Sequence, residues 1–242
     1  MRAADAQKTN DWQEGQRSQL DFWQRWSKEL PTAPLLRDLA MHAGFIRLLA
    51  ESSFERDLED ARIVEVGAGL RPVVHFLPGR YRACVDPLMS QYLRLRKDAF
   101  TSAVDHFEAA AEGLPFPDRS FDVCITLNSI DVCMDAARAL AEFSRVLDRP
   151  GYLVISVNTY RPVARALRVA ACLAGVCHDR LSYPRIFSER SFRRLVEKEF
   201  DVIRCVIERD DYLWEKEGGA RGVSARFSRR CDRTTLFAKT RT

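Results

Sequence analysis

The segment Ala61-Arg62-Ile63-Val64-Glu65-Val66-Gly67-Ala68-Gly69-Leu70-Arg71 decides the fold of this chain. Its short apolar run predicts a β-strand at Ala61–Val66, and the glycines that follow predict a sharp turn into a helix. Because glycine has no Cβ, the backbone of such a turn can lie directly against a ligand. The first N–H groups of the following helix would then face a carboxylate or a phosphate. A strand before the turn and a helix after it make this pattern more informative than two glycines alone.

An acidic residue closes the next predicted strand, Tyr81–Val85. Asp86 follows Gly67 by 19 residues. In doubly wound folds, an acidic residue about 20 positions after the first glycine accepts hydrogen bonds from ribose hydroxyls. The alternative is an aspartate that caps the helix beginning after Pro87. Taken together, the glycine turn and Asp86 indicate a cofactor that contains adenosine, without specifying which one.

Outward from these motifs, the chain alternates between strand and helix patterns. The next predicted elements are a helix at Leu88–Arg96, strands near Val104–Glu108 and at Phe121–Leu127, a helix at Ala136–Leu147 and a strand at Tyr152–Val157. They are followed by helices at Val163–Ala174 and after Ser188, and by strands at Phe200–Glu208 and Thr234–Thr240. Alternation of this kind predicts an α/β fold with a mostly parallel sheet. The two closing strands predict a C-terminal strand pair, which brings the sheet to seven strands.

Two helical patterns precede the α/β region. The first contains Leu20, Trp23, Trp26 and Leu30 at helical spacing, and the second contains Leu35, Leu39, His42, Ile46 and Leu49. We therefore divide the chain into an N-terminal helical cap, residues 1–60, and an α/β domain, residues 61–242. Trp23 and Trp26 either form a lid over the cofactor or act as ordinary packing anchors.

Composition and charge place the chain among ordinary globular proteins. Apolar residues make up 46% of the 242 residues and charged residues 30%, and the net charge is only +4. Such a charge does not by itself indicate nucleic acid as a partner. Arginines do cluster in residues 221–242. That segment would suit RNA or a phosphate-bearing substrate, or it is a solvated face around the last strand.

Other sequence features bear on location and on metal binding. The stretch Met1–Gln19 is polar and lacks the apolar segment of a signal peptide, and no apolar run reaches the length of a membrane span. Seven cysteines without a CxxC pair are typical of buried free thiols, so we expect a cytoplasmic protein. We expect no metal site, because the four histidines show no ligand spacing along the chain: His42, His75, His106 and His178.

Two further stretches resemble a known family. Residues 111–123, AEGLPFPDRSFDV, resemble the segment AExLPFPDxSFDV of class I S-adenosylmethionine-dependent methyltransferases, notably the ubiquinone/menaquinone-biosynthesis type. Residues 145–151, RVLDRPG, resemble the RVLKPGG turn of that family. The resemblance covers about Ala61 to Val157. It implies a Rossmann-like sheet and S-adenosylmethionine as the cofactor, and it says nothing about the methyl acceptor.

The resemblance also implies roles for individual residues. Gly67 and Gly69 would line the methionine moiety of the cofactor, and Glu65 would hold its amino group. Asp86 would take the ribose hydroxyls, and Leu88 would pack on the adenine. The other implied cofactor contacts are Ala68, Pro87, Ala111, Glu112, Asn128, Ser129 and Ile130.

The chain departs from the family pattern at two positions. Arg71 stands where the family has a third glycine, so we expect a tighter loop or an earlier start of the helix. Ala110 stands where an aspartate commonly contacts the adenine amino group. Adenine recognition would then depend on backbone groups, on Glu108 or on Glu112.

The acceptor side is less defined by sequence. A sulfonium is already an activated methyl donor, so the protein need mainly align the acceptor with it. For an oxygen acceptor a general base would help, and Asp131, just past the fourth strand, is the candidate catalytic residue. Its alternative is a polar surface residue. We expect residues 159–199 to cap a small-molecule acceptor such as a sugar, a glycan precursor or a secondary metabolite.

Three other functions stay open at this point. A nicotinamide-dependent oxidoreductase is disfavoured by Arg71 and by the closing strand pair. An RNA methyltransferase or RNA-binding protein would use the arginines of residues 221–242. A catalytically silent cofactor-binding subunit would act as the partner of another methyltransferase. The oligomeric state does not follow from the sequence.

Overall fold

The computed structural model describes residues 3–29, 40, 43–44, 46–47, 50–70, 72–95, 103–174, 185–209 and 231–241. The helices with defined bounds are α1 (Ala3–Glu29), α2 (Met89–Leu95), α3 (Ala136–Val146), α4 (Pro162–Leu173) and α5 (Glu189–Val196). The strands are β1 (Arg62–Val66), β2 (Tyr81–Val85), β3 (Asp105–Phe107), β4 (Phe121–Leu127), β5 (Leu147–Tyr160), β6 (Phe200–Arg209) and β7 (Cys231–Thr240). The predicted N-terminal stripe, from Leu35 to Leu49, lies largely outside the described residues.

The strands form one seven-stranded sheet in the order β3-β2-β1-β4-β5-β7-β6. Strands β1 to β5 pair in parallel, whereas β7 lies antiparallel between β5 and β6. This topology confirms the predicted sheet and its C-terminal strand pair. The order reverses at β1, so the carboxyl ends of β1, β2 and β4 lie side by side. In open α/β sheets this switch point is where ligands bind.

Each face of the sheet is buried in its own apolar cluster. Val64 and Val66 of β1 pack on one face together with α3 and α5. Ile63, which points to the opposite face, packs with residues that include Ala43 and Phe54 of the N-terminal region. Strand β1 is buried on both faces from Ile63 to Val66, as is usual for parallel strands, and Glu65 is the charged side chain within that stretch.

The two helices on the first face follow from their sequences. Asp135 begins α3, and its side chain accepts hydrogen bonds from the backbone N–H groups of Ala137 and Arg138. Ser188 caps α5 as predicted, and the rings of Phe187 and Phe192 lie 5.8 Å apart across the cap. This contact is the expected hydrophobic staple.

An ion cluster fixes the amino ends of β1 and β4. The Asp122 side chain is fully buried and accepts hydrogen bonds from Arg62 and Arg56. Burial acts to raise the pKa of Asp122, but the hydrogen bonds and charges of the two arginines lower it below its usual range. The amino ends of these strands are therefore tied together by side chains. Their carboxyl ends are left to form the site.

Candidate active site

The glycine turn after β1 lies against the end of β2. Gly67 and Gly69 adopt φ values of +70° and +59°, which residues with a Cβ rarely adopt. A Cβ at Gly67 would collide with the side chain of Ser129, whereas a Cβ at Gly69 would lie 3.8 Å from the ring of Trp23. Gly67 is thus needed so that the end of β4 can approach the turn. Gly69 faces α1.

Asp86 holds the turn in place. Its carboxylate is 6% exposed, and it accepts hydrogen bonds from the N–H groups of Gly69 and Leu88, both at 2.9 Å. Burial raises the pKa of Asp86 to about 6. The contact with Leu88 is the capping role that the sequence left as an alternative. Each oxygen keeps a further lone pair for a hydroxyl group, so capping does not exclude ribose binding.

The helix after the turn differs from its prediction. It is a single 3₁₀ turn, Val73–Phe76, that begins after an extended Pro72 and ends at an extended Leu77. Leu77 precedes Pro78, and the residue before a proline is pushed out of the helical region, which explains the short element. The expected anion site at a helix N-terminus is therefore absent from this described segment. Arg71 lies outside the described residues.

Glu65 accepts a hydrogen bond from an N–H group after the glycine turn, where the sequence predicted that such groups would face a ligand. Its Oε2 accepts a hydrogen bond from Val74 at 2.8 Å, and its side chain is 2% exposed. Burial raises the pKa of Glu65 to about 8, and the nearby charge of Asp86 adds to this effect. Among the described residues, neither carboxylate takes part in an ion pair. Two buried acids at adjacent strand ends suit a ligand that brings hydroxyl donors and positive charge.

Helix α1 covers this end of the sheet. Trp23 and Leu20 pack against the buried residues Leu70, Leu88 and Tyr92. Leu88 therefore lies in an apolar cluster next to Asp86, which suits its implied contact with an adenine ring. The position of Trp23 beside Gly69 fits the lid interpretation, although its packing contacts fit the alternative as well. The side chain of Trp26 lies outside the described residues.

Ala111 and Glu112 are both buried near the carboxyl ends of the strands. Ala111 is buried in the cluster that contains Val66 and Val85. Glu112 is also buried, and its Oε1 accepts a hydrogen bond from the N–H group of Asp135 at 2.9 Å. Glu112 thus positions the start of α3, and its second oxygen is the one that could meet a cofactor.

The three residues after β4 take different environments. Asn128 is exposed with a φ of +57°. The hydroxyl of Ser129 is hydrogen-bonded to Thr126 and donates to the Val66 carbonyl at 3.3 Å. Ile130 is fully buried in the core. The resemblance implies that all three contact the cofactor. In the structure Ile130 packs in the core, and Ser129 links β4 to β1.

Asp131 is buried at the end of β4. Its side chain is 5% exposed, and within the described part of the chain its Oδ1 has no hydrogen-bond partner. Burial raises the pKa of Asp131 to about 7, although the guanidinium groups of Arg168 and Arg185 act to lower it. Burial raises the pKa of the Cys133 thiol, and the charges of Glu112, Asp131 and Asp86 act in the same direction. The surface alternative for Asp131 is therefore wrong.

Arg168 and Arg185 are residues that the sequence did not single out. Arg168 lies on α4, is buried, and sits 5.1 Å above the ring of Tyr160. Arg185 donates hydrogen bonds to the carbonyls of Cys133 and Met134. The available signal was an arginine within a largely apolar helix, which also carries Arg165. Both arginines belong to the 159–199 segment, which therefore contacts the loop that follows β4.

Two of the histidines also lie together, contrary to the expectation of scattered residues. His75 Nε2 and His106 Nε2 are 3.4 Å apart. Spacing along the chain missed this pair because the parallel sheet, rather than a local motif, brings the two segments together. His42 and His178 lie outside the described residues.

The seven-stranded sheet with its closing antiparallel pair, and the buried carboxylates beside a glycine turn, define the Rossmann-like methyltransferase class. Residues 64–155 match the family model described as a methyltransferase domain. This match, together with the relatives and solved structures below, supports a class I S-adenosylmethionine-dependent methyltransferase, as the resemblance in sequence implied. Its cofactor is S-adenosylmethionine.

The chain is similar to curated methyltransferases that act on different acceptors. It is 26% identical to a fatty-acid O-methyltransferase of Mycolicibacterium smegmatis over 73% of this chain and 64% of that protein. It is 34% identical to a ubiquinone/menaquinone biosynthesis C-methyltransferase of Campylobacter jejuni over 36% of each chain. Neither match spans two thirds of the relative.

A solved structure shares the fold. Geranyl diphosphate C-methyltransferase of Streptomyces coelicolor, in complex with Mg²⁺, geranyl diphosphate and S-adenosyl-L-homocysteine, aligns with a TM-score of 0.63 and 14% identity. The alignment covers 86% of this chain and 82% of that one. Among the described residues of this chain, no helix is both long and apolar enough to cross a membrane.

Proposed function

We propose that this enzyme methylates a hydroxyl group of a small-molecule acceptor, with Asp131 as the proton acceptor. The observation that carries the proposal is the buried Asp131 carboxylate after β4, whose Oδ1 has no partner in the part of the chain that the structure describes. A hydroxyl is a poor nucleophile until its proton is removed, so a carboxylate at this position has a chemical use. A sugar, a glycan precursor or a secondary metabolite would supply such a hydroxyl.

The surroundings of Asp131 suit a general base. Such a base works best when its pKa lies near the working pH, and burial brings the pKa of Asp131 to about 7. The positive charges of Arg168 and Arg185 oppose complete protonation of the buried carboxyl. At neutral pH a large fraction of the enzyme then carries the ionised form.

The remaining residues hold the reactants. S-adenosylmethionine supplies an activated methyl group on a sulfonium. Asp86 would hold the ribose hydroxyls and Glu65 the amino group, while Leu88 and Trp23 would enclose the adenosyl part against water. Residues 159–199 would cover the acceptor, because Arg185 of this segment donates hydrogen bonds to carbonyls of the loop after β4. Alignment of this kind contributes about 7–11 kcal/mol to barrier lowering in general.

The test of the acceptor class is a transfer assay with isotopically labelled methyl donor. A panel would contain hydroxyl-bearing metabolites, their amino analogues with otherwise identical structure, and short RNAs. We expect label in the hydroxyl compounds. Transfer to the amines alone would reject the role of Asp131. Transfer to RNA, with binding that weakens steeply as salt rises, would support the arginine-rich segment at residues 221–242 instead.

A second candidate, the catalytically silent subunit, predicts a different result in the same assay. Such a protein would bind S-adenosylhomocysteine in calorimetry yet transfer no label to any acceptor until a second protein is added. The Asp131 oxygen that lacks a partner among the described residues disfavours this candidate, because a structural carboxylate would be paired. We also propose a cytoplasmic location, on the basis of the free thiols Cys84, Cys124 and Cys133.

A further inference from the structure

Three side chains with nitrogen or sulfur atoms meet on one face of the sheet. Cys84 of β2 and His106 of β3 are direct partners in the parallel register, so their side chains leave the sheet on the same side. His75 of the 3₁₀ turn lies over them, with its ring centroid 5.4 Å from that of His106. One ligand atom from each of the three residues lies within 4.8 Å of the other two.

We propose that His75 Nε2, His106 Nε2 and Cys84 Sγ bind a divalent transition-metal ion of the zinc type. Imidazole nitrogen and thiolate sulfur are the ligands that Zn²⁺ prefers, at about 2.0–2.1 Å and about 2.3 Å. In a tetrahedral site these bond lengths place ligand atoms roughly 3.3–3.7 Å apart. The observed 3.4 Å between the two nitrogens lies in that range.

The surroundings balance the charge of such an ion. The carboxylates of Glu65, Asp86 and Asp105 act on the Cys84 thiol. Zinc and one thiolate together carry a single positive charge, which these acids offset. Cys84 binds as a thiolate, so each ion that binds releases one thiol proton to solvent while the imidazoles bind in their neutral form. With three protein ligands, the fourth position is taken by water.

The site has a defined structural consequence. Its ligands come from β2, β3 and the 3₁₀ turn, and that turn supplies the Val74 N–H group to Glu65. A bound ion would therefore fasten the segment after the glycine turn to the sheet. This inference does not depend on the identity of the methyl acceptor.

The first test uses Co²⁺ as a spectroscopic substitute for zinc in the full chain after treatment with a chelator. We expect one Co²⁺ per chain and a thiolate-to-cobalt charge-transfer band in the near ultraviolet. Cys84→Ser should abolish that band, and His106→Gln should lower Co²⁺ affinity at least tenfold. Cys124→Ser is the matched control, because Cys124 is an equally buried thiol on β4 that packs on the opposite face. The control should keep the band.

A second measurement does not depend on the variants folding. X-ray absorption of the wild-type chain loaded with Zn²⁺ should show one sulfur neighbour at about 2.3 Å and nitrogen neighbours at about 2.0–2.1 Å. Zinc should also raise the Tm, since it binds the folded state. A shell without sulfur, or a band that persists in Cys84→Ser, would overturn the site. The histidines would then form only a hydrogen-bonded pair of neutral rings.

Discussion

The proposed cofactor end and the proposed acceptor end of the site are built by different means. At the cofactor end, the carboxylates of Asp86 and Glu65 accept hydrogen bonds from backbone N–H groups of Gly69, Leu88 and Val74. At the acceptor end, the charges of two arginines that are distant in sequence act on the Asp131 carboxylate, and its Oδ1 has no hydrogen-bond partner among the described residues. One end is held by the main chain, the other by side chains.

The two ends therefore depend on the amino-acid sequence in different ways. Main-chain hydrogen bonds depend on the path of the strand and turn, which many sequences can follow. The acceptor end depends on particular side chains in residues 159–199, a segment outside the resemblance to the family. The relatives fit this picture, since one is named an O-methyltransferase and another a C-methyltransferase.

The largest expected effect lies at the acceptor end. Asp131→Asn keeps the shape of the side chain and removes the base, so we expect kcat to fall by about 10²–10⁴-fold. The affinity for S-adenosylhomocysteine, measured by calorimetry, should stay the same. Asp135→Asn is the control, because asparagine caps α3 as well as aspartate does. Equal kcat values for the two variants would remove Asp131 from the mechanism.

A smaller effect is expected at the cofactor end. Asp86→Ala should lose about 1.5–3 kcal/mol of affinity for S-adenosylhomocysteine, the range for a hydrogen bond to a charged group. Because Asp86 also holds Gly69 and Leu88, calorimetry should be repeated with an analogue that lacks the ribose hydroxyls. Wild type should bind the analogue more weakly, and Asp86→Ala should bind both ligands alike. If the variant still distinguishes them, the ribose assignment is wrong.

The pH dependence of the reaction should also report on the acceptor end. The base must be ionised, and burial sets the pKa of Asp131 near 7 while Arg168 and Arg185 oppose that shift. We therefore expect kcat/KM to be level above pH of about 7 and to fall about tenfold for each pH unit below it. The residual activity of Asp131→Asn should not show this decrease at low pH. A wild-type profile that is flat from acid to neutral pH would contradict the assignment.

The smallest expected effect concerns the contact of α1 with the glycine turn. Trp23→Ala removes an indole that packs beside Gly69 and on Leu70 and Leu88. We expect a loss of roughly threefold to tenfold in cofactor affinity, as for partial loss of apolar burial. Phe22→Ala is a suitable comparison, since Phe22 is exposed on the same helix. Similar affinities for both variants and wild type would make Trp23 a packing residue only.

The sequence predicted most of the fold because the strands and helices have local patterns. The bounds of β4 agree with the prediction residue for residue, and α5 begins after its predicted cap Ser188. The prediction of a full helix after the glycine turn is wrong, because Pro78 forces the preceding Leu77 out of the helical conformation. The predicted length of strand β5 is too short. The strand extends from Leu147 to Tyr160 and includes Arg149-Pro150-Gly151, whose sequence is typical of a turn.

The site was predictable only where spacing carries the information. Asp86 follows from its distance to Gly67, because one βαβ unit fixes that distance. The effect of Arg168 and Arg185 on Asp131 could not be predicted from the sequence. It arises from the folded position of their segment and not from a motif. The group of His75, Cys84 and His106 was missed for the same reason: it follows from the pairing of β2 with β3.

The position of β7 has a consequence for folding during translation. Residues 231–240 fill the gap between β5 and β6, so the side of β5 that faces away from β4 stays unpaired until they have been synthesised. A nascent chain would meanwhile present an apolar strand edge to its neighbours, the kind of surface that chaperones shield. Closure of the sheet therefore has to wait for the synthesis of residues 231–240.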